Sequence, residues 1–178
     1  MPRDLLPRLL AHLDEPGARR CVILSGGIGA GKTRTAETLA RDLAAHGVSV
    51  GGVLAPRVLS DGETIGYRIR DLLTGEERPF ARLEPPGVSV GRFFVSEGSL
   101  RFALAAIERA TKEARVVFAD EVGRWELGGG GLSPAVRSLL ASLALPVLLV
   151  RSEFVAAVVQ AFSLEEVDQV ELEGAHAS

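Results

Sequence analysis

A three-layer α/β fold is the class this sequence predicts: a mainly parallel central sheet between helices, with an antiparallel β excursion near residues 57–95. Short, unbroken apolar runs such as Cys21–Leu24 and Pro146–Val150 are the mark of strands buried on both faces of a parallel sheet. Between them lie longer stretches with helical spacing of apolar residues, and that alternation argues a layered α/β domain. The turn pairs Asp61-Gly62, Thr74-Gly75 and Pro86-Gly87 chop the middle of the chain into short β-like pieces.

The elements follow in order. Residues 3–13 set Leu5, Leu6, Leu9, Leu10 and Leu13 at helical spacing, and Asp14-Glu15-Pro16-Gly17 ends the pattern. This short amphipathic helix packs on the domain, and its leucine face also offers a docking surface for a protein partner. Cys21–Leu24 is the first strand. Residues 32–46 form a helix with Ala36, Leu39, Ala40 and Leu43 on one face and Gly47 at its end. Residues 48–54 are a second strand, and Thr64–Arg70, Glu77–Ala81 and Ser89–Val95 are the antiparallel strands. Residues 98–113 return to helix, with Leu100, Leu104, Ile107 and Thr111 along one side. Arg115–Ala119 is a buried strand ending in Asp120-Glu121, and Gly128–Gly131 is a flexible loop. Ser133-Pro134 reads as an N-cap followed by proline at the first helical position, opening a helix to about 143. Pro146–Val150, a helix over 153–162 capped by Ser152, and a strand over 167–172 complete the chain. No repeat or long linker divides it, so the organisation expected is one domain over 1–178, with 1–20 as a helical extension and 173–178 as a polar tail.

Composition narrows the function. The 178 residues are 47% hydrophobic but only 5% aromatic, and mean hydropathy is +0.22, so the core is aliphatic and the chain is not intrinsically disordered. Twenty basic residues against 23 acidic ones give a formal charge of −3, and a nucleic-acid footprint is not indicated. No apolar run approaches the ~18 residues of a membrane span. The lone Cys21 permits no internal disulfide, suits a reducing cytoplasmic setting, and reads as a small buried residue at a strand start. His12, His46 and His176 lack metal-ligand spacing. Of the 20 basic residues, 18 are Arg; only Lys32 and Lys112 are Lys. In a chain so biased toward Arg, a retained Lys is a candidate for a position where Arg is a poor substitute, and the idea is tested on Lys32.

Lys32 is such a position. Directly after the first strand comes Gly26-Gly27-Ile28-Gly29-Ala30-Gly31-Lys32-Thr33, the G-x-x-x-x-G-K-[ST] pattern of a phosphate-binding loop. Glycines let the backbone curl so that successive N–H groups face phosphate oxygens, and the helix that follows adds the positive end of its dipole. Lys32 supplies a compact charge for the β and γ phosphates, where the planar fork of Arg is too bulky. Thr33 offers a hydroxyl to Mg²⁺, and Arg34 completes the nucleotide-binding stretch 26–34. A glycine-rich turn that merely opens a helix is the plainer account, but the strand before and the helix after are the context this loop demands. The fold class is thereby sharpened to a three-layer P-loop NTPase fold.

Val116–Ala119 ends in two carboxylates. Beside the loop, Asp120 stands where it can hold Mg²⁺ directly or through water, and Glu121, on the other side of the strand end, can orient or deprotonate an attacking water. A solvated strand end is the alternative that the loop upstream disfavours. Arg57, Arg124 and Arg151 are candidates to steady transition-state charge, each set against the plain reading of a surface arginine. Residues 124–131 read as a mobile flap or simply a floppy loop.

The loop and the block Asp120-Glu121-Val122-Gly123-Arg124-Trp125-Glu126-Leu127 resemble the cancer-related nucleoside-triphosphatase family, known also from thermophiles. That family's second motif is Asp-Glu-Ile-Gly-Lys-Met-Glu-Leu, with which five of eight positions agree. Gly66-Tyr67-Arg68-Ile69 is similar to its Gly-Phe-Arg-Ile segment and Gly91-Arg92-Phe93-Phe94-Val95 to its Gly-Lys-Tyr-x-Val segment, so the resemblance covers roughly residues 21–150. Ala55-Pro56-Arg57-Val58 and Ile65 depart from it, replacing an acidic-Val-Arg block and an arginine; so do the N-terminal helix and the run Gly128–Gly131. The resemblance implies a P-loop fold of the class with an added strand and a catalytic glutamate. It implies slow, Mg²⁺-dependent hydrolysis of ATP, GTP and other nucleoside triphosphates to the diphosphate and phosphate. Lys32 and Glu121 are then catalytic, and Thr33 and Asp120 are metal ligands. The rival readings are a small-molecule or nucleotide kinase and a nucleotide-dependent switch subunit.

Overall fold

The computed structural model describes residues 2, 4–14 and 20–173. The elements are α1 (Leu5–Asp14), β1 (Arg20–Gly26), α2 (Lys32–Ala45), β2 (Val50–Leu54), β3 (Arg57–Ser60), β4 (Glu63–Asp71), β5 (Glu77–Arg82), β6 (Val88–Val90) and β7 (Phe93–Val95). They continue with α3 (Glu97–Glu113), β8 (Val116–Ala119), α4 (Arg124–Leu127), α5 (Ser133–Leu140), β9 (Leu145–Arg151), α6 (Val155–Ala161) and β10 (Glu166–Glu171). All ten strands share one sheet in the order β10-β1-β9-β8-β2-β4-β5-β7-β6, with β3 paired to β4.

The first five strands of that order run parallel to one another. Their apolar runs are unbroken because both faces are covered, and successive residues divide between two cores. Cys21 and Ile23 of β1 face α3 and α5, together with Val117 and Ala119 of β8. Val22 and Leu24 face α1 and α2, together with Val116 and Phe118. Burial pushes the Cys21 thiol up to about 12, so it is an inert core residue.

The expected antiparallel region is present, from β3 to β7, and is fused edge to edge with the parallel half through the β2–β4 pair, Val53 against Asp71 and Leu54 against Arg70. Two details differ from expectation. Arg57–Ser60 is itself a strand, an exposed edge whose side chains carry no alternating apolar signal. Ser89–Val95 is two three-residue strands reversing at Gly91-Arg92.

The helix signals also shift. Ser133 does not cap α5: Leu132 takes the cap position without a side-chain bond, and Ser133 is buried within the first turn. That helix ends at Leu140. Ser152 does not cap the helix after β9, because its hydroxyl donates to Glu171 Oε1 at the end of β10, two strands away, and a short 3₁₀ turn, Ser152–Phe154, precedes α6. The leucine face of α1 is not a free docking surface. Leu5 and Leu9 are fully buried, and Leu6, Leu10 and Leu13 pack against the same core as α2. Arg8 and His12, from the same helix, reach Asp168 of β10, with His12 Nε2 at 2.8 Å. The expected break at residues 15–17, the tail at 174–178 and His176 lie outside the described residues. Among the described residues no helix is long and apolar enough to cross a membrane.

Candidate active site

Because β1, β9, β8 and β2 run parallel, the segments leaving their C-terminal ends meet at one edge of the sheet, where ligands gather in open α/β folds. The glycine-rich loop leaves β1, Asp120-Glu121 leaves β8, Arg151 closes β9 and Ala55 leaves β2. Arg151 is the register partner of Gly26, so it stands at the root of the loop.

The loop turns on Gly29 and Gly31, whose φ angles of 81° and 86° lie in the left-handed region that a β-carbon disfavours. Gly31 caps α2, and Thr35 N–H, donating to Gly31 O at 2.8 Å, starts its ladder. The Lys32 ammonium folds back over the loop, donating to the Gly26 carbonyl at 2.8 Å and the Gly27 carbonyl at 3.0 Å. Its burial lowers its pKa, while the charges of Glu121 and Asp120 pull the other way. Ile28 stands 74% exposed at the loop tip, and Arg34 is exposed on the first turn of α2. Arg57 leans on the loop from β3, its guanidinium in van der Waals range of where a side chain at Gly29 would begin.

Asp120 is buried and held from three sides. Its Oδ2 accepts from Thr33 Oγ1 at 2.8 Å and from Ala55 N–H at 2.9 Å; its Oδ1 accepts from Glu121 N–H at 2.8 Å. Burial, reinforced by the Glu121 charge, nevertheless pushes its pKa up to about 7. A buried carboxylate next to a threonine hydroxyl is an all-oxygen donor pair of the hard kind Mg²⁺ takes. Among the described residues no group of three or more His, Cys, Asp or Glu gathers that could by itself hold a metal ion.

Glu121 has φ of 60°, a left-handed conformation that costs a non-glycine residue on the order of 1 kcal/mol or more. Holding it are its own N–H on Asp120 and the next N–H, Val122, donating to Leu149 O at 3.1 Å. The carboxylate emerges into a cavity of about 520 Å³, with Oε2 3.8 Å from Arg151 Nη2. Lys32, Asp120, Arg124 and Arg151 line the same space, so of the three candidate arginines two stand in the cavity and Arg57 at the loop.

Two features escaped the sequence analysis. One is Glu126. Its buried carboxylate accepts from Gly123 N–H and Leu132 N–H, both at 3.0 Å, and clasps the two ends of the segment that follows Glu121. Residues 128–131 are therefore not a loop without conformation. A β-carbon on Gly131 would lie 2.1 Å from Glu126 Oε1, and one on Gly130 would lie 2.2 Å from Trp125 Nε1, so the glycines serve close approach. The other is a set of aromatic side chains, Tyr67, Phe80, Phe93, Trp125 and Phe154, in the lining of the cavity. Its only sequence signal was the aromatic content of the segments 66–69 and 91–95.

Comparison with known proteins bears on family and fold. A family model described as NTPase matches residues 21–173. The chain is 39% identical over 116 residues to the nucleoside-triphosphatase THEP1 of Methanopyrus kandleri, covering 65% of this chain and 64%, just under two thirds, of that relative. It is 38% identical over 127 residues to the protein of the same name from Thermofilum pendens, covering 70% of each. Among solved structures, a human cancer-related nucleoside triphosphatase matches with a TM-score of 0.65 at 27% identity, over 85% of this chain and 88% of that one. THEP1 from the hyperthermophile Aquifex aeolicus matches with a TM-score of 0.70 at 23% identity, over 86% and 90%, a likeness of fold.

Proposed function

The chain belongs to the NTPase family, and from that premise we propose that it hydrolyses nucleoside triphosphates, ATP and GTP among them, to the diphosphate and phosphate with Mg²⁺. The observation that carries the proposal is the convergence of Lys32, Thr33 and Asp120 at one sheet edge, with Glu121 held in a strained conformation beside them.

In this reading the amides of residues 26–34 receive the α and β phosphates, and the Lys32 ammonium leaves the carbonyls of Gly26 and Gly27 for the β and γ oxygens. Thr33 Oγ1 and Asp120 hold the metal, which when bound neutralises charge on the β and γ phosphates. Glu121 orients a water and takes its proton onto the carboxylate as the oxygen attacks the γ phosphorus. Arg151, 3.8 Å from Glu121, is the arginine best set to meet charge on the terminal phosphate. The P-loop unit spans the described residues, with α1 as an extension docked on it, and the buried Cys21 thiol suits a reducing cytoplasmic setting.

Phosphate release from ATP, GTP, CTP and UTP, each with Mg²⁺ and with chelator, tests the proposal. Release from at least one triphosphate, abolished by chelator, is expected. No release from any of the four overturns it.

A further inference from the structure

Asp120 belongs to a closed ring of contacts, part of which lies outside the catalytic cavity. Its Oδ2 accepts from Thr33 Oγ1 on one side and from Ala55 N–H on the other. Thr33 stands in the first turn of α2, and Ala55 follows the last residue of β2. Leu54, the residue before Ala55, is the antiparallel register partner of Arg70 in β4. Arg70 Nη1 donates to Glu37 Oε1 at 2.9 Å. Glu37 lies in α2 four residues after Thr33, one turn on and on the same side of the helix. The ring thus runs from Thr33 through Asp120, Ala55, Leu54, Arg70 and Glu37 back to Thr33.

Arg70 is itself held in place. Glu77 stands opposite it across the β4–β5 pair, and Arg70 Nε and Nη2 both donate to Glu77 Oε2, at 2.7 Å and 2.6 Å. Arg68 donates to Glu77 Oε1. Burial alone would raise the Glu77 pKa, but hydrogen bonds from Arg70 and Arg68, with their charges, hold it below the ordinary carboxylate value. One edge of the Arg70 guanidinium is therefore spent on its own strand pair, and Nη1 is left for α2. Leu54 faces the core beneath α2, and its cross-strand partner Arg70 projects from the same face of the sheet. Neither Arg70 nor Glu37 lines the catalytic cavity.

We propose that Arg70 is a positioning residue: through Glu37 it holds α2 at the spacing from β8 that lets Thr33 and Asp120 serve one Mg²⁺ together. This rests on the metal roles given above to Thr33 and Asp120. Mg²⁺ demands near-ideal octahedral geometry with short oxygen contacts. Two protein donors carried by different elements must then keep a fixed separation. In the metal-free site their own hydrogen bond keeps it. A hydroxyl that turns its lone pair to an ion has less to give that bond, and the Arg70–Glu37 pair keeps the separation from outside. The two side chains are 38% and 32% exposed, so the pair is worth a severalfold effect rather than a loss of function.

Two measurements test this. The first is phosphate release titrated with free Mg²⁺, at a saturating level of a triphosphate that the parent hydrolyses. Arg70→Gln and Glu37→Gln each raise the half-saturating Mg²⁺ about threefold, while kcat and the KM for triphosphate at saturating Mg²⁺ stay at the parent's values. The double variant shifts no further than either single one, because both remove the same link. Arg70→Lys, which keeps the charge and loses the fork, shifts less. Arg68→Gln, which touches Glu77 but not Glu37, does not shift. The second is amide exchange followed by NMR in the protein without metal or nucleotide. In Arg70→Gln the Ala55 N–H exchanges about threefold faster. Leu172 N–H, which donates to Ser25 O at 2.8 Å on the other flank of the sheet, keeps the parent rate.

An unchanged Mg²⁺ requirement in Arg70→Gln overturns the proposal, as do additive shifts in the double variant. So does equal acceleration at Ala55 and Leu172, which makes Arg70 a general stabiliser. Failure of the hydrolase reading looks different: the parent itself releases no phosphate at any Mg²⁺ concentration, whereas the exchange measurement needs neither metal nor turnover.

Discussion

Thr33 Oγ1 donates a 2.8 Å hydrogen bond to Asp120 Oδ2, joining the first turn of α2 to the end of β8 across 87 positions of sequence. This contact brings the two halves of the site into one. It exists because β9 lies between β1 and β8 with all three parallel, which sets the loop and the acidic pair at the same edge two strand spacings apart.

Glu121 is the group assigned to the attacking water, and it is partly exposed in the cavity rather than built into the metal pair. Glu121→Gln keeps the shape and removes the base. Nucleotide binding is retained, while phosphate release falls by roughly 10²–10⁴, the usual contribution of a positioned acid or base. Equilibrium binding of a fluorescent nucleotide alongside steady-state phosphate release checks both halves, and unchanged turnover removes Glu121 from the mechanism.

The two lysines make a matched pair of substitutions. Lys32→Arg places a planar fork where the ammonium bridges two loop carbonyls, and nucleotide affinity drops by about an order of magnitude or more. Lys112→Arg, on the exposed side of α3, leaves affinity and turnover as they were. Calorimetric titration of the two variants side by side is the measurement, and equal effects contradict the argument.

Gly131 tests the clasp made by Glu126. A methyl group there meets Glu126 Oε1 and also suffers a φ of 56°, whereas Gly129, with φ of 82°, has open space around its missing side chain. Gly129→Ala carries strain alone, about 1 kcal/mol. Gly131→Ala carries strain and collision, and loosens the segment that holds Glu121. Its melting temperature and its kcat both fall further than those of Gly129→Ala; equal losses mean the clasp does not reach the chemistry.

Asp168 anchors α1 to β10. Burial alone would raise its pKa, but hydrogen bonds from His12 and Arg8, with the Arg8 charge, hold it below the ordinary carboxylate value. A depressed carboxylate contributes stability that is present above its unfolded value, near 3.8, and is lost as pH falls through the folded value. Asp168→Asn is therefore less stable than the parent at pH 7, and the gap closes below about pH 4. Thermal melts of both proteins across pH 2–7 measure this, and a gap that does not narrow as pH falls below about 4 rules out the ionic cause.

Sequence and structure contribute different things here. The glycine-rich loop, Lys32, Thr33 and the strand-ending Asp120-Glu121 were legible because each depends on local pattern: a backbone that must curl, a helix that must start, an apolar run that must end in charge. The parallel half of the sheet was legible for the same reason, since burial on both faces writes an unbroken apolar run. Strand β3 was not, because an exposed edge strand has no face to bury and so no periodic signal. The cap expected at Ser133 failed because the helix starts one residue earlier and buries Ser133 in its first turn, and the one at Ser152 because Glu171 claimed its hydroxyl.

The sequence by itself determined that this chain folds around a phosphate-binding loop and carries an acidic pair suited to it. Only the tertiary structure decided that Asp120 meets Thr33 and that α1 spends its leucines on its own core. It alone decided that Glu126 fastens the loop beyond Glu121 and that five dispersed aromatics line one cavity. The division has a physical cause. Backbone conformation and amphipathicity are set by neighbours along the chain, whereas a cavity is set by side chains that only strand order and register bring together.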